Sequence, residues 1–131
     1  MKHVVNVQNV GPDEDDRSLR FNVKNRTSKI LRDTYFLIDP EDSPSQKLKM
    51  GHTTIYATGR TTGHAHDDVE EVYYVVSGEG TMRVGDDEFP IRTGDAVYVP
   101  PGEHHTTYQT GNTPLTVVWV TCRLRDREDE A

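Results

Sequence analysis

The chain has 131 residues, with 15 Lys and Arg against 22 Asp and Glu, and a net charge of −7 when its histidines are neutral. That length predicts a single domain with a real core, and an acidic chain lacks the basic stripe that duplex phosphates require, which excludes a nucleic-acid function. No apolar run approaches the ~20 residues of a membrane span, the start Met-Lys-His-Val-Val-Asn has no continuous signal-peptide core, and the single Cys122 suits a reducing compartment, so a cytoplasmic protein is expected.

Residues 1–18 read as an arm that could add a strand to a partner, and the run Asp13-Glu14-Asp15-Asp16 within it as a solvated acidic loop. The barrel core is expected over about 20–124, and the charged segment 125–131 as a frayed tail. Leu, Ile, Val and Phe number 28, of which 15 are valine, and there are 15 threonines, so the interior vocabulary is β-branched. Such residues favour sheet over helix.

In chain order the expected strands are Leu19–Val23, Tyr35–Ile38, Thr53–Ala57, Val72–Ser77, Thr81–Val84, Glu88–Ile91, Ala96–Val99, His105–Gln109 and Thr116–Arg123. Gly78-Glu79-Gly80, Gly85-Asp86-Asp87, Thr93-Gly94-Asp95 and Gly111-Asn112 read as turns between them. Many short strands with frequent turns indicate an all-β sandwich or barrel. The small apolar fraction suggests a polar-lined interior.

Four of the six histidines lie in two places, His64 with His66 and His104 with His105. Residues two apart on an extended segment face the same side, so His64 and His66 can aim at one point. Asp67 and Asp68 offer a turn that lets Glu71 enter the next strand facing that pair, with Tyr73 and Val75 on the Glu71 face. Pro100-Pro101-Gly102 forces a reversal before His105. Three imidazoles and a carboxylate are a mixed N/O donor set suited to one divalent transition metal ion, with Fe, Mn, Ni, Zn, Co and Cu all open. His104 is expected on the opposite face from His105, as a surface or supporting group, and His3 and His52 as structural or exposed residues.

These residues resemble the cupin family. Its first motif, Gly-x5-His-x-His-x3–4-Glu-x6-Gly, is similar to His64-Ala65-His66, Glu71 and Gly78, with Gly59 one residue too close. Its second, Gly-x5-Pro-x-Gly-x2-His-x3-Asn, is similar to Gly94, Pro100, Gly102, His105 and Gln109, with Gln in place of Asn. The resemblance covers roughly residues 50–122. It implies a double-stranded β-helix, the jelly-roll cupin barrel, with His64, His66, Glu71 and His105 as metal ligands, and commonly a homodimer.

A narrower resemblance runs through Thr61-Thr62-Gly63-His64-Ala65-His66 and Glu71-Val72-Tyr73, which look like the signature of the archaeal cupin phosphoglucose isomerases. It implies that Thr54, Thr61 and Gly63 bind a sugar phosphate, that Tyr73 lines the site and that Glu71 moves a proton. A sugar or sugar-phosphate isomerase acting by proton transfer is the leading expectation. An iron dioxygenase, a lyase on a small acid or uronate, and a non-catalytic binder of small molecules use the same donors and stay open. An aromatic pocket would favour the dioxygenase, and Met82, Tyr98 and Trp119 are the residues that could supply one, though each is also a core residue by type.

Overall fold

The computed structural model describes residues 3–13, 31–61 and 63–125. Among these residues eight strands follow a 3-10 turn at Val7–Asn9: β1 Arg32–Ile38, β2 Leu48–Ile55, β3 Val69–Ser77, β4 Glu79–Val84, β5 Asp87–Arg92, β6 Ala96–Val99, β7 His105–Thr110 and β8 Leu115–Arg123. They form a five-stranded sheet in the order β1-β2-β8-β3-β6 and a three-stranded sheet in the order β5-β4-β7. Every pairing is antiparallel. This is an all-β jelly roll, the architecture that the resemblance to cupins implies.

Alternation along the strands builds the interior. The apolar core is Ile55, Val75, Met82, Ile91, Val97, Val99, Leu115 and Val117, drawn from both sheets. Turns are set by glycines where the chain needs positive φ. Gly85, at φ 58°, opens the two-residue link between β4 and β5, and Gly102, at φ 80°, closes the Pro100-Pro101 reversal. Gly51 serves a different need, since a Cβ there would run into the Trp119 indole, its cross-strand neighbour.

Several boundaries differ from expectation. The expected Leu19–Val23 strand, Thr62, most of the acidic run 13–16 and the tail from 126 lie outside the described residues. Strand β2 begins at Leu48 rather than Thr53 and ends at Ile55. Lys49 and Gly51 have no β propensity, but pairing with both β1 and β8 carries them into the sheet. Glu79 and Gly80 belong to β4, so the turn before it reduces to Gly78 at φ 95°. Of the arm, Asp13 joins its own chain, its N–H donating to the Thr34 carbonyl at 2.7 Å. Among the described residues, no helix is long and apolar enough to cross a membrane.

Candidate metal centre

His64-Ala65-His66 is not a regular strand. His64 forms an isolated antiparallel bridge with His105, at the start of β7, the two exchanging backbone hydrogen bonds at 3.3 and 2.9 Å. The Gly102 N–H donates to the His66 carbonyl at 2.6 Å, so the Pro-Pro-Gly reversal ties both histidine groups together. Glu71 enters from β3, after the bend at Asp67 and Asp68.

The donor atoms of His64, His66 and Glu71 lie within 4.8 Å of one another. His105 adjoins them, its Nε2 2.8 Å from Glu71 Oε2. Its ring stands edge-on to that of His64 with centroids 4.2 Å apart. His66 Nε2 is 3.8 Å from Glu71 Oε1, and the His66 side chain is 45% exposed, marking the open side of the cluster.

The buried pair tests whether these residues fit a cation. His105 Nδ1 lies 3.3 Å from the Glu103 carbonyl, so a neutral ring that carries its proton there donates to that carbonyl and presents its Nε2 lone pair to Glu71. Glu71 Oε2 and His105 Nε2 are both fully buried, and neither has an aligned hydrogen-bond partner among the described residues. Two buried acceptors converging at 2.8 Å need either a shared proton or a cation between them. A divalent ion fits that need, with imidazole and carboxylate as its donors. Burial by itself would raise the Glu71 carboxyl, but the close contact with His105 and the charges of His105, His64 and His66 hold it below the usual carboxylate range.

Tyr73 stands two residues along β3 on the same face, its ring edge-on to His105 with centroids 5.8 Å apart. Burial, then the Glu71 charge and a hydrogen bond with Glu71, push its hydroxyl far above the ordinary tyrosine value, so it stays protonated.

The cluster opens into a cavity of about 620 Å³, lined at its walls by Tyr73, Thr53, Thr61, Phe36 and Trp119. Trp119 donates from Nε1 to Thr53 Oγ1 at 3.0 Å and stands edge-on to Phe36 with centroids 6.0 Å apart.

Two expected substrate residues do not reach this space. Thr54 sits on the opposite face of β2, its hydroxyl 3.5 Å from that of Thr116, and strand alternation puts Thr53 in the cavity instead. Gly63 backs onto His104, and a Cβ there would strike that ring and come within 2.7 Å of the Thr106 hydroxyl. His104 is thus a packing partner of the loop. Thr61 lines the cavity, its hydroxyl accepting the Thr107 N–H at 3.0 Å. Of the aromatic candidates, Trp119 faces the cavity, Met82 is core and Tyr98 is on the outside.

Thr53 and Phe36 were missed by sequence reasoning, and the Trp119–Gly51 pair across β8 and β2 is the signal that could have placed the β2 register. Gln109, the motif departure, is a fastener. Its amide donates to the carbonyls of Gly111 and Thr113, and its Oε1 accepts the N–H of Thr58, which sits at φ 64°.

The cupin-domain family matches residues 52–121, more than half of the chain. The chain belongs to the cupin family. It is 38% identical over 52 residues to an oxalate-binding protein of Thermotoga maritima, covering 40% of this chain and 43% of that one. It is also 38% identical over 72 residues to a glucose-6-phosphate isomerase of Thermococcus kodakarensis, covering 51% of this chain and 37% of that one. The aligned part is therefore less than half the length of either relative. The crystal structure of a predicted oxalate decarboxylase from Thermotoga maritima superposes with a TM-score of 0.75 at 22% identity, covering 92% of this cupin and 99% of that chain, a likeness of fold.

Proposed function

We propose that this cupin holds one divalent transition metal ion through His64, His66, Glu71 and His105 and acts on a small polar substrate by proton transfer, as an isomerase of a sugar or sugar phosphate. The observation that carries the reading is the buried pair of Glu71 Oε2 and His105 Nε2, 2.8 Å apart without an aligned hydrogen bond, beside two further imidazoles. A bound ion of this kind acts as a Lewis acid toward a substrate carbonyl. The residues do the rest. Glu71 is the carboxylate that takes and returns the proton. Tyr73, kept protonated by its surroundings, steadies that carboxylate through its hydroxyl. Thr61 and Thr53 offer hydroxyls to substrate oxygens along the cavity wall. The partial likeness to the glucose-6-phosphate isomerase of Thermococcus kodakarensis supports the reaction class.

A second reading, an iron-dependent dioxygenase, draws on the Phe36 and Trp119 wall, which suits a flat, less polar substrate. One experiment separates the two. Metal-loaded protein is incubated with a hexose phosphate in heavy water while dissolved oxygen is recorded. Deuterium incorporation without oxygen uptake is the expected result. Oxygen consumption moves the assignment to the dioxygenase, elimination to an unsaturated product moves it to a lyase, and stoichiometric binding without turnover to a binding protein.

We further propose a cytoplasmic homodimer. Val72, Tyr74, Val76 and Tyr98 are all half-exposed on the outer face of β3 and β6, an apolar patch that a second copy would cover. Light scattering on the Tyr98→Glu variant is expected to show a monomer. The half-buried free Cys122 agrees with a reducing compartment.

A further inference from the structure

The inner face of β1 presents Arg32, Thr34 and Phe36 to the cavity. Arg32 is unusual for an acidic chain. Its side chain is only 11% exposed, and its ion-pair partner Asp13 Oδ2 stands 3.7 Å from Nη1, beyond hydrogen-bond reach. Nη1 is fully buried and has no hydrogen-bond acceptor among the described residues. Lys49, at another part of the same wall, differs. It is paired with Asp39 at 3.6 Å, but its side chain is 36% exposed, so water completes its shell. A buried guanidinium with an unused donor is a costly arrangement unless an anion completes it.

Hydroxyls share the cavity wall with Arg32. Thr34 Oγ1 and Thr53 Oγ1 lie 3.0 Å apart, and both residues line the cavity. The Leu31 carbonyl accepts the Tyr56 N–H at 3.0 Å and would lie 2.7 Å from a Cβ on Gly59, so the start of β1 neighbours the loop that carries Thr61. Thr61 in turn pairs with Thr107, whose place on β7 is two residues beyond His105, about 6.6 Å further along the strand. The cavity thus has imidazoles and a carboxylate at one end, and a guanidinium with hydroxyls at the other.

We propose that Arg32, with the hydroxyls of Thr34, Thr53 and Thr61, is an anion subsite. The ligand class is a small molecule with metal-binding oxygens at one end and a carboxylate or phosphate at the other. The planar fork of Arg32 suits either oxyanion, and threonine hydroxyls donate to the remaining oxygens. The metal end of this ligand rests on the function proposed above. The anion end does not, and it can be tested without metal.

Metal-free protein is titrated calorimetrically with inorganic phosphate and, separately, with oxalate. Both are expected to bind, with Arg32→Gln weakening binding at least tenfold and Arg32→Lys, which keeps the charge but not the fork, weakening it several-fold. Asp13→Asn removes the standing-off carboxylate and is expected to leave affinity equal or tighter. Circular dichroism checks that each variant is folded, and Arg32→Lys carries the test if Arg32→Gln is not. Tighter phosphate binding assigns a phosphate end, and tighter oxalate binding a carboxylate end. No anion binding by the wild type, or equal binding by wild type and Arg32 variants, overturns the subsite. Anion binding that depends on Arg32 in a protein that takes up no metal sustains the subsite and removes the metal reading alone.

Discussion

The two ends of the barrel are built from the same strands but hold their interiors by different means. Toward one end Ile55, Val75, Met82 and Leu115 are fully buried and satisfied by packing alone. Toward the other, Glu71 and His105 are almost as deeply buried, yet Glu71 Oε2 and His105 Nε2 meet only each other, without an aligned hydrogen bond. β3 spans both conditions, with Glu71 and Tyr73 in the polar region and Val75 in the dry one. The contrast teaches that depth is not the distinction. The apolar residues spend their burial on stability, whereas Glu71 and His105, like Arg32 beside Ile55 on the neighbouring strand, are buried without full pairing, the expected cost of a binding site.

The comparison can be broken from either side. The largest effect is expected at the dry end, where Leu115→Ala removes a fully buried side chain and costs about 2–5 kcal/mol in urea denaturation while metal stoichiometry stays unchanged. At the polar end the pattern reverses. A divalent ion at a thousandfold excess over its Kd is expected to stabilise the wild type by about 4 kcal/mol, and to do far less for Glu71→Ala, as thermal melts would show. A destabilised, metal-replete Glu71→Ala would erase the difference between the ends.

Neighbouring threonines sharpen it further. Thr53→Val strips the acceptor from the Trp119 indole N–H and is expected to cost about 1–3 kcal/mol, whereas Thr54→Val, on the opposite face, stays within about 0.5 kcal/mol by the same denaturation assay. The smallest effect is in pH dependence. The folded Glu71 carboxyl lies below its ordinary value of 4.5, so its stabilisation is present above that value and is lost as pH falls through the folded one. Glu71→Gln should flatten that acid limb in metal-free melts.

Much of this was legible before any coordinates. Seven of the nine expected strands overlap observed ones closely, because valine-rich runs between glycine turns carry a period that needs no tertiary context. The expected donors His64, His66 and Glu71 converge because the spacing itself puts a bend at Asp67 and Asp68. What was not legible depends on register. Choosing Thr54 over Thr53 is a one-residue slip, and in a strand such a slip exchanges cavity for outer face. Strand β2 offered no clean alternation to fix it, since Lys49, Gly51 and His52 disguise its first half. The resemblance assigns Gly63 to a phosphate-binding backbone, whereas the His104 ring packed against it accounts for its lack of a side chain. Arg32 gave no signal at all, because burial of a guanidinium with an unused donor is a property of the assembled barrel.

The central claim is that His105 completes a metal centre with His64, His66 and Glu71. The direct measurement is the metal content of purified His105→Ala beside the wild type, each loaded with the same divalent ion and dialysed together, with circular dichroism confirming the fold. One equivalent per wild-type chain and a large loss in the variant is the predicted result. One equivalent in both would contradict the assignment.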